Sequence, residues 1–323
     1  MRGSLIALHL LSGCVLAAGL GCHRAQRPEA VRLDYATYNP VGLLLKEKGF
    51  LEETLGGQGI RVEWVKSLGS NKALELLNSK SIDFGSTAGV AALIARSNGN
   101  PIRSIYVYSR PEWTALVTRP GSGIEKVADL KGKKVAVTRG TDPFVFLLRA
   151  LDAAGLRDKD VEIVPLQHPD GKAALERGDV QAWVGLDPLM ATAEVDGGAK
   201  LFFRNPDWNT YGVLNVREEF AASQPALVDA VLGAYERARK YARAHPDELA
   251  AALMKEGRLT RPVADAVLAR TDLADPVIGE KQKAAILAAG GVLRKSGVIK
   301  PDTDVGRAVD GLIDPTFASK LSL

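Results

Sequence analysis

Four short turns carry the residues of this chain that could do chemistry, and each lies where a predicted strand passes into a predicted helix. They are Tyr38-Asn39-Pro40, Gly85-Ser86-Thr87 with Ala88 directly after it, Gly140-Thr141-Asp142-Pro143 and Gly185-Leu186-Asp187-Pro188. The first turn of a helix has unpaired N–H groups and roughly half a positive charge. A ring of such turns therefore predicts an oxyanion site that needs no metal and no cofactor.

Hydroxyl groups and glycines in two of these turns support the same chemistry. Ser86, Thr87 and Thr141 could donate further hydrogen bonds, while Gly85 and Gly140 would let the backbone approach a ligand closely. Each turn taken alone can equally be an ordinary helix cap. We take the set as one cleft because the turns recur within an internal repeat.

Two carboxylates and three ring side chains could modify the site. An ionised Asp142 or Asp187 would repel an anion, so either they cap their own helices, or Asp187 meets a cationic group of a zwitterionic ligand. Trp113 could line the ligand pocket or pack in the hydrophobic core. We expect Trp183 to fill the core and His168 to be a solvated loop residue.

The repeat that orders these turns spans residues 62–87 and 161–187. Each copy runs strand, loop, helix, strand and then a polar turn that starts another helix. This is the unit of a parallel sheet with helices on its faces. The sequence thus predicts an α/β fold with two similar lobes. Ligands of open α/β sheets bind beyond the carboxyl ends of the strands, so a small molecule would lie between the lobes.

The order of the elements predicts where each lobe lies in the chain. We expect lobe 1 to comprise residues 31–111 and 217–323, and lobe 2 to comprise residues 112–216. Extended segments near both boundaries would be the two crossover strands and would form a hinge. The tail from Glu218 onward is helical by pattern, and we expect it to pack back onto lobe 1.

Capping signals predict the bounds of two helices beside the site. Asn39 is the expected N-cap and Pro40 the first residue of a helix that ends at Leu55. Asp142 and Pro143 take the same roles for the helix that follows the third turn.

Residues 1–21 predict a signal peptide. An apolar stretch too short to span a membrane ends at Gly21-Cys22, and it resembles a bacterial lipoprotein signal, in which cleavage before the cysteine leaves a lipid-anchored N-terminus. Cys14 has the better local cleavage box but leaves almost no apolar core, so Cys22 is the expected lipid attachment site. An ordinary cleaved signal is the alternative. Residues 22–30 would be a tether, which places the protein in the periplasm or on the outer face of the cell membrane.

Composition excludes several function classes. Both cysteines of the chain, Cys14 and Cys22, lie in the signal region, so the mature protein would have no disulfide and no catalytic thiol. The formal net charge of +4 is small, and the basic residues are scattered, which argues against nucleic acid as a partner. The chain has no His-Glu-x-x-His or Gly-x-Ser-x-Gly motif. We therefore expect a binding protein and not an enzyme.

Four motifs in a fixed order carry a family resemblance. They are Lys46–Leu51, Gly69–Gly85, the Val127–Val135 stretch Val-Ala-Asp-Leu-Lys-Gly-Lys-Lys-Val, and Ala182–Pro188. The chain resembles periplasmic binding proteins of the aliphatic sulfonate, taurine and nitrate import group, over nearly all of its mature length. That resemblance implies a monomer with two lobes that closes on a small anion and delivers it to the permease and ATPase subunits of an ABC importer.

Three departures from the family pattern bear on the ligand. Ala88-Gly89 replaces a usual Gly-Asp, Phe144 replaces a frequent histidine, and Leu186 replaces a tryptophan. A backbone site for the anion can survive all three, so a sulfonate remains the leading ligand. A sensor domain for a signalling partner is one alternative. A pyrimidine-precursor synthase of thiamin biosynthesis is another, but that resemblance requires a histidine and a cysteine-rich segment, and the chain has no cysteine after Cys22.

Overall fold

The computed structural model describes residues 27–321, so the predicted signal peptide and the lipid attachment at Cys22 lie outside the described residues. The strands within that range are β1 (Ala30–Tyr35), β2 (Arg61–Lys66), β3 (Phe84–Ala88), β4 (Ile102–Pro111), β5 (Leu116–Thr118), β6 (Lys134–Val137), β7 (Glu162–Pro165), β8 (Ala182–Val184), β9 (Lys200–Phe203), β10 (Gly212–Arg217) and β11 (Thr271–Asp272).

Helices account for most of the remaining described chain. They are α1 (Pro40–Lys48), α2 (Phe50–Gly56), α3 (Ser70–Asn78), α4 (Gly89–Ser97), α5 (Asp142–Ala153), α6 (His168–Arg177), α7 (Leu189–Val195), α8 (Glu218–Ser223), α9 (Pro225–Ala244), α10 (Pro246–Gly257), α11 (Arg261–Ala269), α12 (Glu280–Leu287), α13 (Gly290–Lys295) and α14 (Val305–Leu312). No helix within residues 27–321 is both long enough and apolar enough to cross a membrane.

The strands form two sheets, which confirms the predicted two-lobed α/β fold. The larger sheet has the order β11-β4-β10-β3-β1-β2, and the smaller has the order β7-β6-β8-β5-β9. In the larger sheet β1 pairs in parallel with β2 and β3, and in the smaller sheet β6 pairs in parallel with β7 and β8. The repeat units β2-α3-β3 and β7-α6-β8 therefore occupy equivalent places.

After each crossing between the lobes, the next strand of the chain joins the sheet of the lobe that the chain has entered. β5 follows the first crossing and pairs antiparallel with β8, while β10 follows the second crossing and pairs antiparallel with β3. β10 hydrogen-bonds within the larger sheet along its whole length, Gly212–Arg217, so the connections between the sheets are residues 112–115 and 204–211. Two separate connections between two sheets are the arrangement that permits hinge motion.

Two predicted helix bounds are wrong, and both have local causes. Asn39 does cap α1, because its Oδ1 accepts a hydrogen bond from the N–H of Gly42 at 2.9 Å. The expected continuous helix to Leu55 instead breaks at Gly49, whose φ of 66° is left-handed and suits glycine. In the third turn Thr141 is the N-cap and Asp142 is already the first helical residue.

The helical tail contacts both lobes, which corrects the expectation that it covers only the first. Helices α9 and α10 pack on α1, but α11 packs on α7 and α13 packs on α5. The tail also supplies β11, which pairs with the end of β4 and so protects an exposed sheet edge.

Apolar residues fill both faces of the smaller sheet. Val135, Val137 and Phe146 are buried on one face, and Ala136 and Trp183 on the other. Trp183 is fully buried, as predicted. The buried strand residues among them fix the loops at the carboxyl ends of β6 and β7, which face the larger lobe.

Candidate ligand site between the lobes

The equivalent loops of the two repeat copies meet face to face. Gly69, the N-cap of α3, lies against His168, the first residue of α6. A Cβ atom on Gly69 would lie 3.1 Å from both Cδ2 and Nε2 of His168. Beside them, a Cβ on Gly140 would lie 3.7 Å from the Cβ of Asn71. The carboxyl ends of the parallel strands thus face each other across a closed cleft.

Four buried polar atoms at this junction have no hydrogen-bond partner. They are Asn71 Oδ1, Gln167 Oε1, and both ring nitrogens of His168. A Cβ on Gly69 would lie 2.9 Å from Asn71 Oδ1, so this oxygen and His168 Nε2 converge on the same glycine. Buried polar groups in native proteins are nearly always hydrogen-bonded, so these atoms are candidates to hydrogen-bond a ligand at the junction.

The helices that begin here add a favourable potential for an anion. Neither Gly69 nor Gln167 makes a side-chain capping bond to its own helix. The first N–H groups of a helix have no partner within the helix, and its N-terminus carries a partial positive charge. With the N-termini of α3 and α6 directed toward one junction, the two partial charges act on the same point.

His168 corrects the expectation of a solvated loop histidine. It is 1% exposed, and burial lowers the pKa of its imidazole to about 3, so the ring is neutral at physiological pH. The internal repeat could have indicated that His168 lies at the cleft. His168 follows β7 in the second copy, just as the Gly69 loop follows β2 in the first copy.

The first two predicted turns come together in the larger lobe. Asn39 Nδ2 donates to Ser86 Oγ at 2.8 Å, and the hydroxyl of Tyr38 donates to the carbonyl oxygen of Ser86 at 3.0 Å. The Oγ of Thr87 donates to the carbonyl oxygen of Ala88 and accepts from Asn215 Nδ2. The predicted turn at Ser86 and Thr87 is in fact strand β3, whose hydroxyls bond within the protein.

Asp34 is a buried carboxylate in this network that the sequence reasoning missed. It accepts hydrogen bonds from the Ser86 N–H at 2.7 Å and from Ser67 Oγ at 2.6 Å. Burial raises the pKa of Asp34 to about 6, and these hydrogen bonds oppose the shift. The position carries no sequence signal beyond its place at the end of β1.

The helix start that follows Ala88 is occupied by the chain itself. The N–H of Gly89 donates to the carbonyl oxygen of Thr210 at 3.1 Å, and the N–H of Val90 donates to Thr210 Oγ1 at 3.0 Å. The N-terminus of α4 therefore binds the second crossing segment instead of offering these groups to an anion.

Asp142 ties both crossing segments to α5. It accepts from Trp113 Nε1 at 2.8 Å, from the Thr210 N–H at 3.1 Å and from Thr210 Oγ1 at 2.8 Å. Trp113 is 3% exposed and packs edge-on against Tyr38, so it fills the core between the lobes. The Oγ of Thr141 donates to the carbonyl oxygen of Thr138 at 2.6 Å. This third turn therefore stabilises the hinge region.

Asp187 caps its own helix and pairs with the tail. Its Oδ1 accepts from the Ala191 N–H at 3.0 Å, and its Oδ2 lies 2.9 Å from Arg270 Nε. Burial raises the pKa of Asp187 to about 7, although the Arg270 guanidinium opposes the shift. Arg270 thus supplies the cationic group that the sequence reasoning considered as part of a zwitterionic ligand.

Comparisons with known proteins show the family of the chain. A family model described as NMT1/THI5 like matches residues 42–249. A putative aliphatic sulfonates-binding protein of Escherichia coli (strain K12) is 30% identical over 255 residues, which cover 78% of this chain and 79% of that protein. A protein of the same description from Bacillus subtilis (strain 168) is 28% identical, over 87% of this chain and 86% of that protein.

A solved structure shows the same fold. The periplasmic aliphatic sulphonate binding protein SsuA from Escherichia coli superposes with a TM-score of 0.76 at 27% identity, covering 90% of this chain and 94% of that chain. A 4-amino-5-hydroxymethyl-2-methylpyrimidine phosphate synthase of Schizosaccharomyces pombe matches a shorter stretch, at 30% identity over 27% of this chain.

Proposed function

Since the chain belongs to the NMT1/THI5-like family, with relatives that are periplasmic binding proteins, we propose that it captures a small oxyanion between its lobes for an ABC importer. A solute-binding role is common to those relatives. The ligand class we propose for this chain is an aliphatic sulfonate, and the partners are the permease and ATPase subunits of the importer.

One observation carries the proposal: the N-termini of α3 and α6 meet across the closed cleft, with unpartnered polar atoms of Asn71, Gln167 and His168 between them. Such a junction costs free energy when empty, because buried polar groups lose their bonds to water. An oxyanion between the two helix starts would receive hydrogen bonds from both lobes.

An oxyanion with a short apolar part fits the surroundings. Leu68, directly before Gly69, is 50% exposed and is one of the few large apolar side chains exposed within residues 27–321. Gly69 has no side chain, so its backbone lies close to Asn71 and His168 beside Leu68. A sulfonate supplies the fixed negative charge, and its alkyl group supplies an apolar surface for Leu68.

Binding would close the hinge by bridging the lobes. The open and closed forms of such a protein differ by a few kcal/mol, and a ligand that contacts both lobes shifts the population toward the closed form. The connections at residues 112–115 and 204–211 are the segments that would bend. The permease would then recognise the closed form.

Location follows from the predicted N-terminal signal. We propose a monomer in the periplasm or on the outer face of the cell membrane, held by a lipid on Cys22 through the tether of residues 22–30. Replacing Cys22 with serine should release the protein from the membrane fraction, whereas the same change at Cys14 should not.

A thermal-shift screen tests the proposed ligand class. The protein would be melted with ethanesulfonate, taurine, sulfate and nitrate, each at a concentration well above its expected dissociation constant. A ligand at 100 times its dissociation constant stabilises the folded state by about 2.7 kcal/mol, which a melting curve resolves. A selective shift with the sulfonates supports the proposal, and no shift with any anion overturns it.

A further inference from the structure

His168 stands at the junction of the lobes with both ring nitrogens unpartnered. The residue is 1% exposed, and its Nε2 edge faces Gly69, the N-cap of α3 in the other lobe. A neutral imidazole carries one donor and one acceptor, and burying both unpaired costs free energy. A ligand in the cleft can supply partners for these two nitrogens.

Burial, and not a neighbouring charge within residues 27–321, lowers the pKa of this ring. Helix α6 packs against α7, β6 and β8, and its first residue lies against the start of α3. The charged side chains on these elements and on the loop after β6 are Lys72, Glu75, Lys134, Arg139, Asp170, Lys172, Glu176, Arg177 and Glu194. Burial alone lowers the pKa of His168, without an electrostatic contribution from any of them. The charge of a bound anion would act on an imidazole whose pKa is lowered by burial.

Two amide oxygens complete the arrangement. Asn71 Oδ1 and Gln167 Oε1 are buried and unpartnered, and both can only accept hydrogen bonds. A neutral imidazole has one N–H, whereas an imidazolium has two. An imidazolium at residue 168 could donate one N–H to an anion and the other to one of these oxygens, which would satisfy groups that the neutral ring leaves unpaired.

We propose that His168 binds the oxyanion in the closed cleft and takes up one proton from solvent as the anion binds. This inference rests on the proposed function, because it requires an anion at the N-termini of α3 and α6. The proton joins the free ring nitrogen, no covalent bond to the ligand forms, and the proton returns to solvent on release.

Proton uptake makes binding depend on pH in a definite direction. An anion beside the ring favours its protonated form, and by reciprocity the protonated ring favours the anion. Affinity for an anion that stays ionised throughout should therefore increase as the pH falls. We expect binding to be on the order of tenfold tighter at about pH 5.5 than at about pH 8.

Calorimetric titration of the full chain in detergent with ethanesulfonate tests this inference. The sulfonate stays ionised over this range, so it contributes no titration of its own. Titrations at about pH 5.5 in two buffers of different ionisation enthalpy count the protons taken up, and we expect a value approaching one per ligand there and a smaller value at about pH 8. This count needs no variant, so it does not depend on how a substitution folds.

His168→Gln and His245→Gln form the matched pair of variants. Glutamine keeps hydrogen-bonding capacity but cannot take up a proton, so His168→Gln should bind with an affinity that no longer changes with pH. His245 is an exposed residue at the start of α10, and its variant should keep the dependence of the parent. Circular dichroism checks that both variants fold.

The outcomes separate this inference from the proposed function. Ethanesulfonate binding with no proton uptake and equal affinity at both pH values overturns the inference and leaves the proposed function standing. A pH dependence that persists in His168→Gln also overturns it. Absence of binding for every anion tested overturns both.

Discussion

Replacing Gly69 with alanine should weaken ligand binding without unfolding the protein. The new Cβ would lie 2.9 Å from Asn71 Oδ1 and 3.1 Å from His168 Cδ2 and Nε2, so one neighbour on each side of the cleft would have to move. The φ of Gly69 is 166°, an extended conformation that any residue adopts, and the change adds no backbone strain. The effect is therefore steric and acts on the approach of the lobes.

The size of the expected loss in affinity follows from the steric crowding around the new methyl group. Adding a methyl group to a well-packed contact costs roughly 1 to 3 kcal/mol. If that cost applies only to the closed form, affinity for ethanesulfonate falls by about fivefold to 150-fold, since about 1.4 kcal/mol is a factor of ten. An open form would lack this contact, so the melting temperature of the unliganded variant should change little.

Titration calorimetry measures the affinity, and thermal unfolding without ligand measures the stability. Gly57→Ala is the matched control, because Gly57 has nothing within 4 Å of its Cβ position and a φ of −61°. The control should bind like the parent. Unchanged affinity in Gly69→Ala would refute the placement of the ligand site at this junction.

Substitutions at two further positions test the buried network and the hinge. Asp34 has a folded pKa of about 6 against 3.8 for the free group, so its contribution to stability is present below about pH 3.8 and is lost as the pH rises through 6. Asp34→Asn keeps an acceptor for the Ser86 N–H, and urea unfolding should show that it loses less stability than the parent between about pH 4 and pH 7. Asp142→Ala leaves the Trp113 and Thr210 donors without their acceptor and should lower the free energy of unfolding by about 3 kcal/mol. Asp142→Asn, which keeps one acceptor oxygen, should lose less, and equal losses in the two variants would contradict the hydrogen-bond account.

The fold could be predicted from the sequence because its signals are local. The strand, loop, helix, strand pattern of residues 62–87 recurs at 161–187, and each copy forms a parallel unit at the same place in its sheet. The Asn39 cap was likewise readable, because an N-cap depends on residues three or four apart. The break at Gly49 was missed because a single glycine in a helical pattern does not by itself show a left-handed φ.

The site was harder to predict because its contacts join distant parts of the chain. Thr210 occupies the start of α4 from 120 residues away, and Arg270 meets Asp187 from the helical tail. The burial of His168 depends on the position of Gly69 in the other lobe. No periodicity or spacing in the sequence encodes these contacts. Turn residues indicate where helices begin, but they do not show which helix N-termini remain free to bind a ligand.

The most direct test of the central claim is a crystal structure of the protein with ethanesulfonate. We predict that the sulfonate oxygens lie between the first turns of α3 and α6, within hydrogen-bond distance of backbone N–H groups from both lobes and of His168. A sulfonate bound away from these two helix starts, or bound to one lobe alone with the cleft open, would contradict the account.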